Sequence, residues 1–330
     1  MRYLLCLLAL IGLAPGCAPS SATISLGPAP RPVRQAVVLE HDAKARGAID
    51  VAMIDVTGVI TAGPAPGLFG PGPGPLDQLV DRLNTAERDD DVGAIIIRIN
   101  SPGGSVTASD IAFREITGLR ARSGKPVVAS IAEVGASGGY YIALAADEII
   151  IEPTGVTGSI GVIIPTVNFS GGLARLGIES RAITSGPNKD LANPMTPINE
   201  EHYAILQGMV DEYYARFTGL VEDRRPNLSP GDISTVTDGR VVTGQRAVSA
   251  GLADQTGGVR EAFDRALALA GAPGGRLIKY SSANLEPRTP YSVSAEAPGG
   301  DINLLKLENL LGPAGVAGPT AYYLWAPLAP

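Results

Sequence analysis

Apolar positions along the chain follow two alternating rhythms. Short runs with little polar interruption, at Asp50–Val56, Gly93–Ile99 and Pro126–Ala132, are separated by stretches where apolar residues recur every three or four positions. Leu76, Leu79, Val80 and Leu83 share one helical face, and so do Ala108, Ala112, Ile116 and Leu119. Continuous β-branched strands between amphipathic helices predict an α/β fold with a parallel central sheet and flanking helices. Ala136–Ala146 predicts a helix of small residues, and further strand-like runs occur at Glu148–Ile151, Ile160–Pro165 and Ser180–Thr184. Tyr203, Leu206, Val210, Tyr213 and Phe217 mark a long helix, with Asn199 as its cap and Glu200 and Glu201 suited to its first turn. Two shorter helices, Gly244–Ala250 and Val259–Ala270, are each stopped by a glycine. Gly63–Pro75 is too broken by Gly and Pro for regular structure, and no internal repeat is present.

The ends of the chain depart from this rhythm. Arg2 precedes an apolar run from Tyr3 to Ala14, too short for an ordinary membrane-spanning helix but suited to a secretion signal. Ala14, Pro15 and Gly16 then lead to Cys17, which resembles a bacterial lipobox, where the cysteine is acylated and becomes the new N-terminus. Ordinary cleavage and a retained signal anchor are the alternatives. The organisation expected is a signal peptide over residues 1–16, a lipid-attached tether over 17–48, a main domain over 49–280 and an irregular C-terminal extension over 281–330. Prolines at 313, 319, 327 and 330 break the uncharged stretch at the end, so it is not read as a membrane span.

Composition narrows the chemistry. The net charge of −7, with no cationic cluster, gives no sign of nucleic acid as a partner. Cys6 lies in the signal, so Cys17 is the one cysteine of the mature chain, which excludes an intramolecular disulfide and a zinc cluster. No metal or other cofactor is expected. Five of the 26 cationic residues are lysines, at positions 44, 125, 189, 279 and 306, and the histidines are His41, in the tether, and His202, in the first turn of the long helix. A Ser-His-Asp triad needs an imidazole fixed against the serine, and neither histidine is an obvious candidate.

Three motifs remain. Arg98–Val106, RINSPGGSV, takes a buried strand into a Pro-Gly-Gly turn and then a helix. Ligands bind at such strand ends, and the glycines either expose N–H groups to an oxyanion or merely make a tight turn. Val134–Tyr141, VGASGGYY, repeats the arrangement: Ser137 is either a nucleophile, with the Gly138 N–H receiving the oxyanion, or a helix cap. Lys189, in SGPNKDLANP, lies 52 residues after Ser137. A lysine acts as a base only where burial or neighbours favour its neutral form, and an ordinary exposed lysine beside Asp190 is the alternative.

Taken in order and at this spacing, the SPGG, ASGG and Lys-Asp motifs resemble the signal peptide peptidase A family. Thr157–Val162, TGSIGV, and Gly239–Gly258, GRVVTGQRAVSAGLADQTGG, extend the likeness over roughly Asp50 to Ala270, in the short single-unit form. The resemblance implies a Clp protease/crotonase-like fold and a serine endopeptidase with a Ser-Lys dyad. It implies Ser137 as nucleophile, Lys189 as general base, Ser159 as the residue orienting that lysine, and Gly104 and Gly138 as oxyanion-hole amides. It further implies a homo-oligomeric ring, in which Lys189 serves the neighbouring protomer's Ser137, and peptide substrates: cleaved signal peptides and other apolar membrane-derived peptides.

The expected location is the bacterial cell envelope, as a membrane-anchored lipoprotein facing the extracytoplasmic side. Two rivals are a scaffolding pseudo-enzyme, which would lack a catalytic residue, and crotonase-like thioester chemistry, which a secretion signal separates from its substrate. Tyr322, Tyr323, Leu324 and Trp325 form an apolar group in the last segment. That group either packs on the core or on a neighbouring subunit, or occupies the peptide groove.

Overall fold

Strands buried on both faces must carry apolar side chains at successive positions, and the central strands do so. The computed structural model describes residues 34–65, 72–281, 287–292 and 321–325. The signal peptide, Cys17 and most of the segment 281–330 lie outside the described residues.

Chain order runs β1 (Arg34–His41), β2 (Ile49–Thr57), α1 (Pro75–Arg88), β3 (Val92–Ser101), β4 (Gly103–Ser105), α2 (Val106–Ser123), β5 (Val127–Ala136), α3 (Gly138–Ala143), β6 (Glu148–Ile151), β7 (Val156–Gly158) and α4 (Ser170–Arg175). It continues with α5 (Glu200–Arg224), α6 (Pro230–Val236), β8 (Val241–Thr243), α7 (Gly244–Ser249), β9 (Gln255–Thr256), α8 (Val259–Leu269), β10 (Gly275–Ser281) and β11 (Tyr322–Leu324). The main sheet has the order β1-β10-β2-β3-β5-β6-β9, with β7 and β8 branching from the end of β5. Pairings are parallel except β1 with β10 and β7 with β8. The α/β architecture expected from the sequence is the one found.

Alternation along β2 and β3 divides the core into two layers. Ala52, Ile54, Ile95, Ile97 and Ile99 face α1, α2 and α3, while Val51, Met53, Ala94 and Ile96 face α8. Each isoleucine removed from water in this way contributes about 1.5–3 kcal/mol. The helices start where their sequences allow it. Pro75 opens α1, the Asp77 carboxylate accepts the Gly74 N–H, and Leu76, Leu79 and Leu83 turn inward. Ser105 caps α2 by accepting from the Ala108 N–H, and Gly124 ends it in the left-handed region. Asn199 caps α5 through the Glu201 N–H, as its sequence predicts.

Four segments differ from the sequence expectation, one of them Tyr322–Leu324, which forms β11 within the extension read as irregular. Residues 34–41, read as part of the tether, form an edge strand paired with β10. Residues 160–165 and 180–184, read as strands, form none, apart from an isolated bridge at Ile163. Ile160 is buried in the core and Val162 and Ile164 pack against it, whereas Ile163 is 46% exposed and Ile183 99%. Hydrophobicity alone does not make a strand where no neighbouring strand takes up its hydrogen bonds.

Candidate active site

The carboxyl ends of β3, β5 and β7 converge. Ala136 pairs with Gly158 and Ser101 with Gly135, so residues 101–105, 137–139 and 158–159 meet at one end of the sheet. Ser137 is the junction between β5 and α3. Its backbone has φ 53° and ψ −115°, a region that residues with side chains rarely enter. Ser137 N–H donates to Gly158 O at 2.8 Å, which ties the strained turn to β7. The side chain makes no capping bond, and its buried Oγ has no hydrogen-bond partner. A hydroxyl in that state is uncommon, because burial without a partner is costly.

Glycines surround this serine because backbone occupies the space that side chains would need. A Cβ on Gly104 would stand 1.9 Å from Ile60 O, and one on Gly138 would stand 2.5 Å from Ser109 Oγ and 3.0 Å from Gly104 N. Gly103, at φ 105°, adopts a conformation that favours glycine. Ser101 braces the turn: its hydroxyl donates to Gly58 O at 2.6 Å and accepts from Gly103 N–H at 3.1 Å. On one edge of β4, Ile60 N–H donates to Gly103 O and Ser105 N–H to Ile60 O, both at 2.9 Å. On the other edge stands β11, antiparallel, with Tyr323 opposite Gly104.

Ser137, Ser159, Gly104 and Gly138 are therefore neighbours. Ser159, also at positive φ, is buried directly after the Gly158 carbonyl that holds Ser137. Lys189 is not joined to them within the chain. It is exposed, and its N–H donates to Gly186 O in the same loop. His202 is buried, with its Nε2 2.9 Å from Pro187 O, so it anchors the loop that carries Lys189. Among the described residues, no group of three or more His, Cys, Asp or Glu is placed to hold a metal ion. Among them too, no helix is long and apolar enough to cross a membrane.

Two features of the site were not singled out in the sequence. Ile60 and Ile163, which line the strand edges flanking the site, carry no signal beyond being apolar. The spacing Gly135-x-Ser137-x-Gly139 is a signal: it is the pattern of a serine on a sharp strand-to-helix turn. Gly139 fits that role, since a Cβ there would stand 2.8 Å from Ser101 O.

A serine with an unbonded hydroxyl, set on a strained strand-to-helix turn among glycine amides, has the geometry that sites of the nucleophilic-serine class use. Residues 120–272 match Peptidase family S49. The chain is 34% identical to a "putative protease" of Synechocystis sp. over 221 residues, 67% of this chain and 74% of that one. It is 36% identical to Protease 4 of Salmonella typhi over 223 residues, 67% of this chain and 34% of that protein. It is 32% identical to a "putative signal peptide peptidase SppA" of Enterococcus faecium over 214 residues, 65% of this chain and 62% of that one. The chain thus spans about a third of Protease 4 and less than two thirds of the Enterococcus protein. The chain belongs to peptidase family S49, and its fold is the Clp protease/crotonase-like fold of that family.

Proposed function

We propose that the chain is a serine endopeptidase in which Ser137 attacks the peptide carbonyl and Lys189 is the general base. The observation that carries this reading is the unbonded, buried hydroxyl of Ser137 on a positive-φ turn beside Gly104 and Gly138. Ser137 Oγ adds to the carbonyl carbon while the amides of Gly104 and Gly138 take the developing negative charge. The hydroxyl proton passes to Lys189 and then to the leaving amine. Water deprotonated by the same lysine releases the acyl group and restores the serine. Ser159 orients the lysine by accepting a hydrogen bond from it.

Lys189 comes from a neighbouring copy in a ring of identical chains. Its exposure within one chain supports this, as do the exposed apolar side chains around its loop: Val167, Phe169, Leu176, Ile183, Met195 and Ile198. The domain is held to the bacterial envelope membrane by lipid on Cys17, through the residues that precede β1. Its substrates are apolar, membrane-derived peptides, cleaved signal peptides among them.

Ser137→Ala and Lys189→Ala are each expected to abolish peptide hydrolysis while unfolding as cooperatively as the parent. Turnover at the parent rate in Lys189→Ala would sink the dyad. Mixing the two inactive variants is expected to restore part of the activity if the lysine acts across copies. A mixture that stays inactive, in assemblies shown to contain both chains, would place the lysine in the same chain.

A further inference from the structure

Lys189 stands in a stretch that has no core of its own. From Ser180 to Glu201 no residue is buried. Packing therefore does little to set where the lysine sits, and hydrogen bonds carry that task. Some of them stay local: Thr184 Oγ1 and the Lys189 N–H both donate to Gly186 O, at 3.0 and 3.2 Å. Others reach a segment that is not buried either, with Asn168 Nδ2 donating to Thr196 O at 2.8 Å and Phe169 N–H to Pro194 O at 2.7 Å. The bond that ties the loop to a rigid element is that of the buried His202, whose Nε2 lies 2.9 Å from Pro187 O, two residues before Lys189. A carbonyl oxygen only accepts, so the imidazole holds this bond with a proton on Nε2. A cavity of about 290 Å³, lined by Asp190, Asn193 and Tyr203 among others, borders the same imidazole. The ring is thus incompletely packed, and its hydrogen bond rather than its bulk does the holding.

Helix α5 fixes His202 in turn. Its Phe217 and Val221 are wholly buried in the core. Its Arg216 binds Asp110, which also accepts from the hydroxyl of Tyr141 in α3, the helix that starts directly after Ser137. Its Arg224 donates to Leu144 O and Ala146 O, at 2.7 and 2.8 Å, just beyond the end of α3. One end of α5 is therefore fastened to the helix of Ser137, and the other carries His202 in its first turn. The helix covers about 21 Å between His202 and Arg216.

We propose that His202 is a positioning residue for peptide hydrolysis: through the Pro187 carbonyl it sets where Lys189 stands, and α5 ties that position to α3. The inference rests on the reading of Lys189 as general base and adds the residue that places it. Three substitutions separate the bond from the bulk of the ring. Glutamine puts an amide N–H where Nε2 stands, asparagine puts one where Nδ1 stands, and leucine has none. His202→Leu and His202→Asn are expected to lose about 10- to 100-fold in kcat, the scale of a reacting group misplaced by about 1 Å, with KM within about twofold of the parent. His202→Gln is expected to recover to within about threefold of the parental kcat.

The test is peptide hydrolysis by the full-length variants, with kcat referred to the folded fraction read from circular dichroism. A histidine that merely supported the fold would lower that fraction and leave kcat per folded chain unchanged. Leucine or asparagine at the parental kcat overturns the proposal, and so does glutamine as slow as leucine. Lys189→Ala, assayed beside them, keeps the two readings apart. Parental turnover in Lys189→Ala overturns the base and the positioning together, whereas an inactive Lys189→Ala beside an unaffected His202→Leu overturns the positioning alone. A second measurement uses the parent chain, so it stands even where the variants fail to fold. Nitrogen-15 magnetic resonance of the chain labelled at its two histidines is expected to show the His202 Nε2 protonated at neutral pH, with His41→Gln telling the two signals apart. A bare Nε2 on His202 overturns the bond and the proposal with it.

Discussion

Replacing Ser137 distinguishes its two roles by the sign of the stability change. A serine that merely capped α3 would lose about 0.5–2 kcal/mol of stability on conversion to alanine. In this fold the side chain makes no capping bond and Oγ is buried without a partner. An unpaired buried hydroxyl carries a desolvation cost of about 1–3 kcal/mol. Ser137→Ala removes that cost, so it is expected to be more stable than the parent by about 1 kcal/mol or more. Ser137→Gly also removes the strain of φ 53° and ψ −115°, worth about 1–3 kcal/mol. The freedom glycine gains in the unfolded chain returns about 0.4–1 kcal/mol of that. Glycine is therefore expected to match or exceed alanine. The assay is urea unfolding followed by far-ultraviolet circular dichroism, with midpoints compared at equal slope. In a domain of this size each 1 kcal/mol moves Tm by about 2–4 °C, which gives an independent reading. Destabilisation of Ser137→Ala by 1 kcal/mol or more would refute the reasoning, because the hydroxyl would then be holding the helix.

Three further outcomes are expected. Gly104→Ala forces a Cβ to within 1.9 Å of the Ile60 carbonyl. It should lose about 1–3 kcal/mol of stability and, by displacing the proposed oxyanion donor, about 100- to 1000-fold in hydrolysis rate; a variant with parental midpoint and rate contradicts this. Asp55→Ala strands the Lys279 ammonium, which is wholly buried 2.6 Å from the carboxylate, beside Arg98. The urea midpoint should fall by the equivalent of about 3–5 kcal/mol, and an unmoved midpoint would show that the ion pair is dispensable. Burial pushes the Asp110 carboxyl up, but hydrogen bonds from Arg216 and Tyr141 outweigh it and hold the group below its usual range. Its folded pKa is thus depressed, so its stabilisation is present above the unfolded value and is lost as pH falls through the folded one. The midpoint gap between the parent and Asp110→Asn should be open at neutral pH and close under strong acid, and a gap independent of pH would exclude the titration.

The parts of the fold legible in the sequence are those where one signal has one physical meaning. Ile95, Ile96, Ile97 and Ile99 lie in a strand that must be buried on both faces, and they are. The helical faces of Leu76 and Ala108 were equally plain, because a stripe at helical spacing has few other uses. β1 was not legible: it is an edge strand of mixed character beside a Pro-rich stretch, and its partner, β10, lies more than two hundred residues away. The runs at 160–165 and 180–184 misled because apolar character does not supply the neighbouring strand that a strand needs: Ile160 is buried in the core yet forms no ladder, and Ile183 faces outward. At the site, SPGG and ASGG drew attention to segments that the fold brings together. The positive φ of Ser137 and Ser159 is a property of backbone closure that residue identity does not encode outside glycine. The position of Lys189 relative to Ser137 was beyond sequence reasoning for another reason: a separation of 52 positions along the chain fixes no distance.

On the proposed lipid anchor, the edge strand β1 also sets a radius of action. Its pairing with β10 fixes Arg34 to the sheet beside Ser281. With Cys17 acylated, as proposed, residues 18–33 are the whole leash between lipid and domain. A fully drawn-out chain spans at most about 3.3–3.6 Å per residue, which limits that leash to about 55 Å. Peptides released deeper into the surrounding compartment lie out of reach, whatever their sequence. Proximity to the bilayer is then a second filter on substrates, imposed by where the sheet begins.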